Sequence, residues 1–240
     1  MQELSSSFAI ALSLIGTLDA DLFEIVGLSL RVSLSAVGLS LLIGLPVGAA
    51  IAIGRFPGRF SLIVISNSLM GMPPVVVGLL VYLALSRAGP FGVLGLLYTP
   101  TAMVIAQTLL ITPIIIALAR QTIEDLNSEY AEYFASLAIG SGHRVVTLLW
   151  EGRYSLLTVG LAGFGRAISE VGAVMIVGGN IDHLTRVMTT AIALETSKGD
   201  LELAMALGII LMLLALAVNV LLFFIRPTER FGKKSAPASY

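Results

Sequence analysis

Long apolar segments separated by short polar ones make up most of the chain. A membrane-spanning helix needs about 20 consecutive apolar residues, because the hydrocarbon core of a bilayer is about 30 Å thick. Five segments meet this requirement: residues 25–53, 60–85, 101–119, 156–177 and 201–225. The pattern predicts an all-α integral membrane protein with about five transmembrane helices.

Prolines interrupt two of these segments. Pro73 and Pro74 lie inside the second segment, and Thr112 and Pro113 lie inside the third. Proline is tolerated in a membrane helix where neighbouring helices satisfy the freed backbone groups. The prolines are therefore interpreted in two ways, as kinks around a gate or as tolerated bends without a function.

A shorter apolar run at the N-terminus, residues 8–18, precedes three carboxylates. The carboxylates are Asp19, Asp21 and Glu24. The run is too short to cross a bilayer upright, so it is predicted to form an interfacial helix lying on the membrane. The alternative is a short, tilted sixth span.

Composition supports a membrane protein and excludes several classes. Hydrophobic residues make up 57% of the chain and charged residues only 12%, and the mean hydropathy is +0.97. Soluble domains carry about 25% charge. The net charge of −1 predicts no nucleic-acid partner, and the absence of cysteine excludes disulfides and thiolate metal sites. No metal site is predicted, and the first residues lack the basic region of a signal peptide.

Basic residues in the loops predict the orientation. On the five-span topology, one side of the membrane holds Arg55, Arg59, Arg120, Arg144, Arg153, Arg226, Arg230, Lys233 and Lys234, whereas the other holds Arg87, Arg186 and Lys198. Lysine and arginine are enriched in cytoplasmic loops. The N-terminus is therefore expected outside and the C-terminus in the cytoplasm, with residues 1–227 forming one transmembrane domain and residues 228–240 a polar cytoplasmic tail.

The longest predicted inner segment, residues 120–153, has the pattern of a helical hairpin. A helix with one apolar face is followed by a break at Gly140-Ser141-Gly142, and a second helix is predicted to open with His143-Arg144. Long loops in compact proteins tend to be functional, which favours docking into a groove of another protein. A plain connector between two spans is the alternative.

Two charged residues, Arg166 and Glu170, lie four residues apart in the fourth apolar segment. A charge at the centre of a membrane helix costs about 2.5–3.5 kcal/mol on insertion scales, so these side chains should pair or face water. One hypothesis is a charge that lines a path for anions. The other is a structural ion pair, which the close spacing favours.

The chain contains no phosphate-binding P-loop of the form Gly-x-x-x-x-Gly-Lys-Ser/Thr. Its only lysines are Lys198, Lys233 and Lys234, and none completes such a motif. Any ATP-driven process would therefore need a separate ATPase subunit.

The segment around Gly140 resembles the coupling loop of ABC-transporter permeases. That pattern reads Glu-Ala-Ala, three residues, Gly, nine residues, Ile, one residue, Leu-Pro. Ala135 and Gly140 match it, Ser136 is a small-for-small replacement, and Phe134 occupies the glutamate position unless Glu132 stands in for that residue. The last part of the pattern does not match.

Downstream segments resemble the oxyanion branch of importer permeases. Residues 165–173 and 178–181 are similar to this branch as a whole, and residues 185–192 and 195–201 resemble tungstate permeases more than molybdate permeases. The likeness covers residues 22–227. It implies the fold of an ABC importer permease, with tungstate as the first expectation and molybdate or another oxyanion as the alternative.

The resemblance implies several partners and no enzymatic activity of the chain itself. Two copies of this chain are expected to assemble in the cell inner membrane with two ATP-binding subunits, which carry ATP and Mg, and with an extracytoplasmic oxyanion-binding protein. No cofactor is expected on this chain. A less favoured alternative is an autonomous channel or ion-coupled carrier, which should show a repeat or several deep carboxylates.

Two sets of residues are candidates for function. Coupling to the ATPase is predicted for Glu132, Phe134, Ala135, Ser136, Leu137, Gly140, Ser141, Gly142, His143 and Arg144. A translocation path or gate is predicted for Pro73, Pro74, Thr112, Pro113, Arg166, Ser169, Glu170 and Asn180.

Overall fold

The computed structural model of the protein describes residues 2–17, 19–137 and 139–225, and these residues are largely helical. In chain order the helices are α1 (Gln2–Gly16), α2 (Ala20–Ile53), α3 (Arg59–Met70), α4 (Pro74–Leu85), α5 (Pro100–Glu129), α6 (Ala131–Ser136), α7 (Ser141–Glu151), α8 (Arg153–Ile168), α9 (Gly172–Gly178), α10 (Met188–Lys198) and α11 (Leu201–Ile225), with one 3-10 turn at Gly92–Leu94. The predicted tail, residues 228–240, lies outside the described residues.

The prediction of about five membrane spans is confirmed by length and composition. Helices α2, α5 and α11 are each long and apolar enough to cross a membrane. Two further spans are broken: α3 and α4 meet at 100°, and α8 and α9 meet at 58°. Helix α5 continues past its apolar part to Glu129, so the first part of the predicted inner segment belongs to this long helix.

The predicted N-terminal helix is present as α1, although Leu18 at its predicted end lies outside the described residues. Its apolar part, Ser6–Gly16, is shorter than the helices that can cross a membrane. Ala11 is buried in a cluster with Leu207 and Ile210 of α11. The helix is therefore attached to the last span of the bundle.

Helices α2 and α5 form the centre of the bundle and run in the same direction. Ser40 donates a hydrogen bond to the Thr108 carbonyl at 3.3 Å, and two to three helical turns further along both helices Gly48 meets Ala119. A Cβ atom at Gly48 would lie 2.8 Å from the Ile116 carbonyl oxygen. Glycine thus permits the close approach of the two backbones, as in other membrane helix pairs.

The parallel pair requires the chain to return across the membrane through α3 and α4, which defines two ends of the bundle. One end carries the turn 54–58 together with α6 and α7, because Arg59 pairs with Glu124 near the end of α5. We call it the basic end. At the opposite end the Tyr98 amide donates to the Val177 carbonyl at 3.0 Å, which joins the start of α5 to the end of α9.

Candidate functional site

Helices α6 and α7 form a corner outside the apolar bundle at its basic end. The chain leaves α6 at Leu137, and α7 begins at Ser141. Ser141 and Gly142 are therefore helical, and the break lies before Ser141 instead of at Gly140-Ser141-Gly142 as predicted. His143 and Arg144 belong to the first turns of α7, as expected.

Phe134 faces the interior of the protein, which makes its predicted role as a contact for another subunit wrong. Its side chain is 1% exposed. Its ring centroid lies 6.0 Å from that of Tyr130, and the Arg144 guanidinium carbon lies 5.5 Å from the ring of Phe134. Arg144 also donates from Nε to the Ile139 carbonyl at 2.9 Å. These contacts fix the corner from within, so Phe134 and Arg144 stabilise it.

The outer face of the corner carries a different set of side chains. Tyr133 is 59% exposed and Leu137 is 54% exposed, and Val146 of α7 is exposed as well. The predicted contacts that remain exposed are Glu132, Ala135, Ser136, Leu137, Gly140, Gly142 and His143. The sequence analysis did not predict Tyr133 or Val146 as part of this face. Val146 points outward because it lies two residues before the buried Leu148, on nearly the opposite side of α7.

Gly140 adopts an ordinary backbone conformation. Its φ is −69° and its ψ is 156°, which any residue can adopt, so no unusual backbone angle requires glycine there. A Cβ atom at this position would meet no atom within 4 Å. The fold of this chain does not itself require glycine there, and the open space in front of Gly140 is accessible to a partner.

The α6–α7 corner packs against the end of α5. Leu148 of α7 is fully buried in the core cluster that also contains Ile123 and Phe134. A Cβ atom at Gly152, between α7 and α8, would lie 2.7 Å from Leu126 Cδ1. This tight packing joins α6 and α7 to α5 and α8.

The break between α8 and α9 is organised by Glu170. Its side chain is 3% exposed and pairs with Arg166, which is 32% exposed. Glu170 Oε1 also accepts from the Ala173 amide at 3.1 Å, and the Glu170 carbonyl accepts from Thr189 at 2.8 Å. The Glu170 carboxylate therefore caps the first turn of α9 and, through Arg166, joins the break to α8. The hydrogen bond from Thr189 joins the break to α10.

Gln107 of α5 is a further polar contributor to this break that the sequence analysis missed. It is buried, and its Nε2 donates to the Ala167 carbonyl at 3.1 Å. The last carbonyls of a helix lack partners within the helix, so this bond satisfies one of them. The signal was available, since Gln107 is an amide within an apolar segment.

The two broken spans meet each other. A Cβ atom at Gly172 would lie 2.9 Å from Val75 Cγ2, and one at Gly78 would lie 2.8 Å from the Ala173 Cα. Pro74 opens α4, and Pro73 immediately precedes it. The structure therefore brings the predicted residues Pro73 and Pro74 close to the break that contains Ser169 and Glu170.

Helix α8 exposes a face of small and polar residues along much of its length. The exposed positions that share this face are Ser155, Thr158, Ala162, Gly165 and Ser169. They recur at helical spacing in a segment that crosses the membrane. Small and hydroxyl-bearing residues are enriched where membrane helices pack closely, so this face is suited to contact with another protein surface.

Thr112, Pro113 and Asn180 lie elsewhere. Thr112 donates to the Thr108 carbonyl at 2.7 Å and lies 3.2 Å from Ser40 Oγ, which places it between α5 and α2. Pro113 is buried in α5, which remains one helix. Asn180, with φ of 50°, follows α9 at the opposite end of the bundle.

Charged side chains at the opposite end are held by local pairs. His183 Nδ1 lies 2.9 Å from a carboxylate oxygen of Glu24, and Arg186 pairs with Asp182 at 2.6 Å. The hydrogen bond to Glu24, supported by the negative charges of that residue and Asp182, raises the pKa of His183 above its usual value. His183 and His143 are thus at different ends of the bundle.

A helical bundle with two broken spans, an uncovered polar face inside the membrane and a helical corner outside it has the architecture of a membrane transport subunit. No family model matches the chain. It is 38% identical to the tungstate uptake system permease protein TupB of Peptoclostridium acidaminophilum, over 93% of this chain and 98% of that protein. A probable anion ABC transporter permease protein of Haloferax volcanii is 42% identical, over 83% and 88%. TupB of Campylobacter jejuni is 40% identical, over 67% of each chain. The chain belongs to the family of anion ABC-transporter permeases.

Proposed function

We propose that this chain is the permease subunit of an ATP-driven oxyanion importer and that its substrate is tungstate. The observation that carries the proposal is the similarity to a tungstate uptake permease over 93% of the chain, which includes the α6–α7 corner and both broken spans. Molybdate is the alternative substrate. Selection between such ions is assigned to the extracytoplasmic binding protein, while the permease supplies a gated path.

The path is proposed to form between two copies of the chain. The small and polar face of α8 is uncovered in one copy, and a two-fold axis beside it would face it with the same surface of the second. The break at Ser169 and Glu170 lies at the end of this face, next to Pro73 and Pro74. Movement at these two breaks would open or close the path.

The α6–α7 corner is proposed to receive the ATPase subunit, which carries ATP and Mg. This chain has no P-loop, so the free energy of hydrolysis must reach it through contact. The exposed set around Tyr133, Leu137 and Gly140 offers an apolar and sterically open surface, and the buried Leu148 connects it to α5.

The substrate is tested by reconstituting the chain with its ATPase and binding protein in liposomes. Tungstate is expected to stimulate ATP hydrolysis and to be taken up, and molybdate to do so less well at equal concentration. Stronger stimulation by molybdate would make it the substrate. Uptake that proceeds without ATP or the ATPase subunit would instead favour the autonomous carrier.

The orientation follows from the excess of arginine at the basic end, which is proposed to face the cytoplasm. A reporter fused after Tyr240 is expected to be cytoplasmic, and one inserted after the highly exposed Val93 is expected to be external. Accessibility of both reporters from the same side of the membrane would refute the five-span topology.

The coupling role is tested by Gly140→Val. Because Gly140 has an ordinary φ and open space around it, the variant should insert, fold and dimerise normally. We expect it to lose ATPase on affinity purification, or to hydrolyse ATP without transport, because the added side chain blocks the partner surface. The measurements are ATPase retention, ATP hydrolysis and tungstate uptake.

The matched control is Gly38→Val, which introduces the same side chain at an open position on α2, away from the basic end. It should retain the ATPase and transport normally. If Gly140→Val behaves like this control, the corner is not the coupling element.

A further inference from the structure

A polar pocket opens at the basic end, where α2 ends and α3 begins. Its volume is about 560 Å³, and Arg55, Arg59 and Asn127 line it beside the turn 54–58. The turn connects two membrane-crossing elements, so the pocket lies at the level of the lipid headgroups. The proposed transport function gives this pocket no role.

The pocket is positively charged because Arg55 and Arg59 line it and no carboxylate is among its lining residues. Arg59 donates from Nε to the Ile51 carbonyl at 2.8 Å and pairs with Glu124. Glu124 also accepts from Arg120 at 2.5 Å. Arg55, on the turn, contributes a third positive charge and has no carboxylate partner among the described residues. The network thus fixes the position of Arg59 and leaves an excess of positive charge.

Two groups in the pocket have no partner within the described part of the chain. Arg55 is exposed and forms no hydrogen bond or ion pair with any described residue. Asn127 Oδ1 is buried and receives no hydrogen bond from those residues. Buried acceptors are nearly always satisfied in folded proteins. The pocket therefore offers a free cation and an acceptor that needs a donor.

Aromatic side chains beside the pocket indicate where the ligand comes from. Phe56, on the same turn, is exposed, and Phe60 in the first turn of α3 is 78% exposed. Basic pockets between membrane helices bind phosphate-containing headgroups, and exposed apolar side chains at this depth contact acyl chains. Inorganic phosphate would meet the arginines and leave both phenylalanines uncovered.

We infer that this pocket binds an anionic phospholipid whose headgroup carries a hydroxyl. The phosphodiester would lie between Arg55 and Arg59, and the hydroxyl would donate to Asn127 Oδ1 after a rotation of this side chain exposes that buried atom. Phosphatidylglycerol has this combination of groups. The bound lipid would lie beside the Arg59–Glu124 pair that joins α3 to α5.

The charge contact is tested on the full-length protein in detergent, with added phosphatidylglycerol and native mass spectrometry. Arg55→Gln removes a charge with no internal partner, so the fold should be unchanged. It should weaken phosphatidylglycerol binding about fivefold, the effect of one arginine at a lipid surface. The control is Arg87→Gln, which removes an exposed charge at the opposite end and should leave binding unchanged. Equal loss in both variants would overturn the site.

The hydroxyl contact is tested by comparing phosphatidylglycerol with phosphatidylmethanol, which has the same charge and no headgroup hydroxyl. The wild-type protein should prefer phosphatidylglycerol, and Asn127→Leu should abolish the difference. A wild-type protein that binds both lipids equally would overturn the assignment of Asn127.

Two further outcomes separate the lipid from other occupants. Phe60→Ser should weaken lipid binding without changing any charge. If inorganic phosphate binds the pocket as strongly as the lipid and Phe60→Ser has no effect, the ligand is a free anion and the lipid proposal is wrong. If Arg55→Gln leaves lipid binding unchanged and lowers retention of the ATPase, the pocket is a protein contact instead.

Discussion

Replacing Arg166 by alanine is expected to lower the free energy of unfolding by about 3 kcal/mol. Removing one partner of a buried ion pair costs about 3–5 kcal/mol, because the other charge stays buried without compensation. Glu170 is almost completely buried, but Arg166 is 32% exposed, so the lower end of this range applies. Thermal or denaturant unfolding of the purified protein in detergent measures the change.

The double variant Arg166→Ala with Glu170→Ala distinguishes a structural role of Arg166 from a role in ion transport. If the pair is structural, removing the second charge should recover part of the lost stability, although the cap on the Ala173 amide is also lost. If Arg166 serves the ion, the single variant should stay folded and lose tungstate uptake, and the second change should not help. A stable single variant without transport would contradict the structural interpretation.

Phe134→Ala is expected to destabilise the chain by about 3–5 kcal/mol, even without any partner subunit. This is the usual cost of truncating a buried phenylalanine, since it combines lost burial with a residual cavity. The contact with Arg144 is lost as well. The unfolding of the isolated permease in detergent is the measurement.

The control for Phe134 is its neighbour Tyr133. Tyr133→Ala removes an exposed ring, so it should leave unfolding of the isolated permease unchanged within about 0.5 kcal/mol. It should reduce retention of the ATPase. The opposite pattern, with a stable Phe134→Ala that loses the ATPase, would mean that Phe134 faces the partner after all.

The spans could be predicted from the sequence because a bilayer requires long apolar segments and little else satisfies that pattern. Segment boundaries were less accurate, since a helix continues past the bilayer wherever its backbone bonds continue, as α5 does to Glu129. The break after Ile168 was not predicted. In the sequence, residues 156–177 form one continuous apolar segment. The backbone carbonyls freed at the break accept hydrogen bonds from the side chains of Gln107 and Thr189, and the sequence pattern does not reveal these tertiary contacts.

The candidate site was predicted in part, and its errors have a common physical cause. Tyr133 and Phe134 are adjacent aromatic residues in a six-residue helix, which is too short for periodicity to show which side faces inward. The inward position of Phe134 depends on Arg144 and Tyr130, which the fold brings to its ring. In contrast, the pairing of Arg166 with Glu170 was predicted from their spacing of four residues. The pair forms although α8 ends at Ile168 and Glu170 lies just past it.

The α6–α7 corner keeps its internal support and its outer surface on separate residues. Phe134, Arg144 and Leu148 hold it in place, and Tyr133, Leu137 and Val146 face outward. If the corner receives the ATPase as proposed, a duplicated permease gene could acquire a different ATPase by exchanging only the outward residues, while its membrane domain stays as it is. The same separation allows orthogonal permease–motor pairs to be engineered in one cell, with each oxyanion importer supplied by its own ATPase.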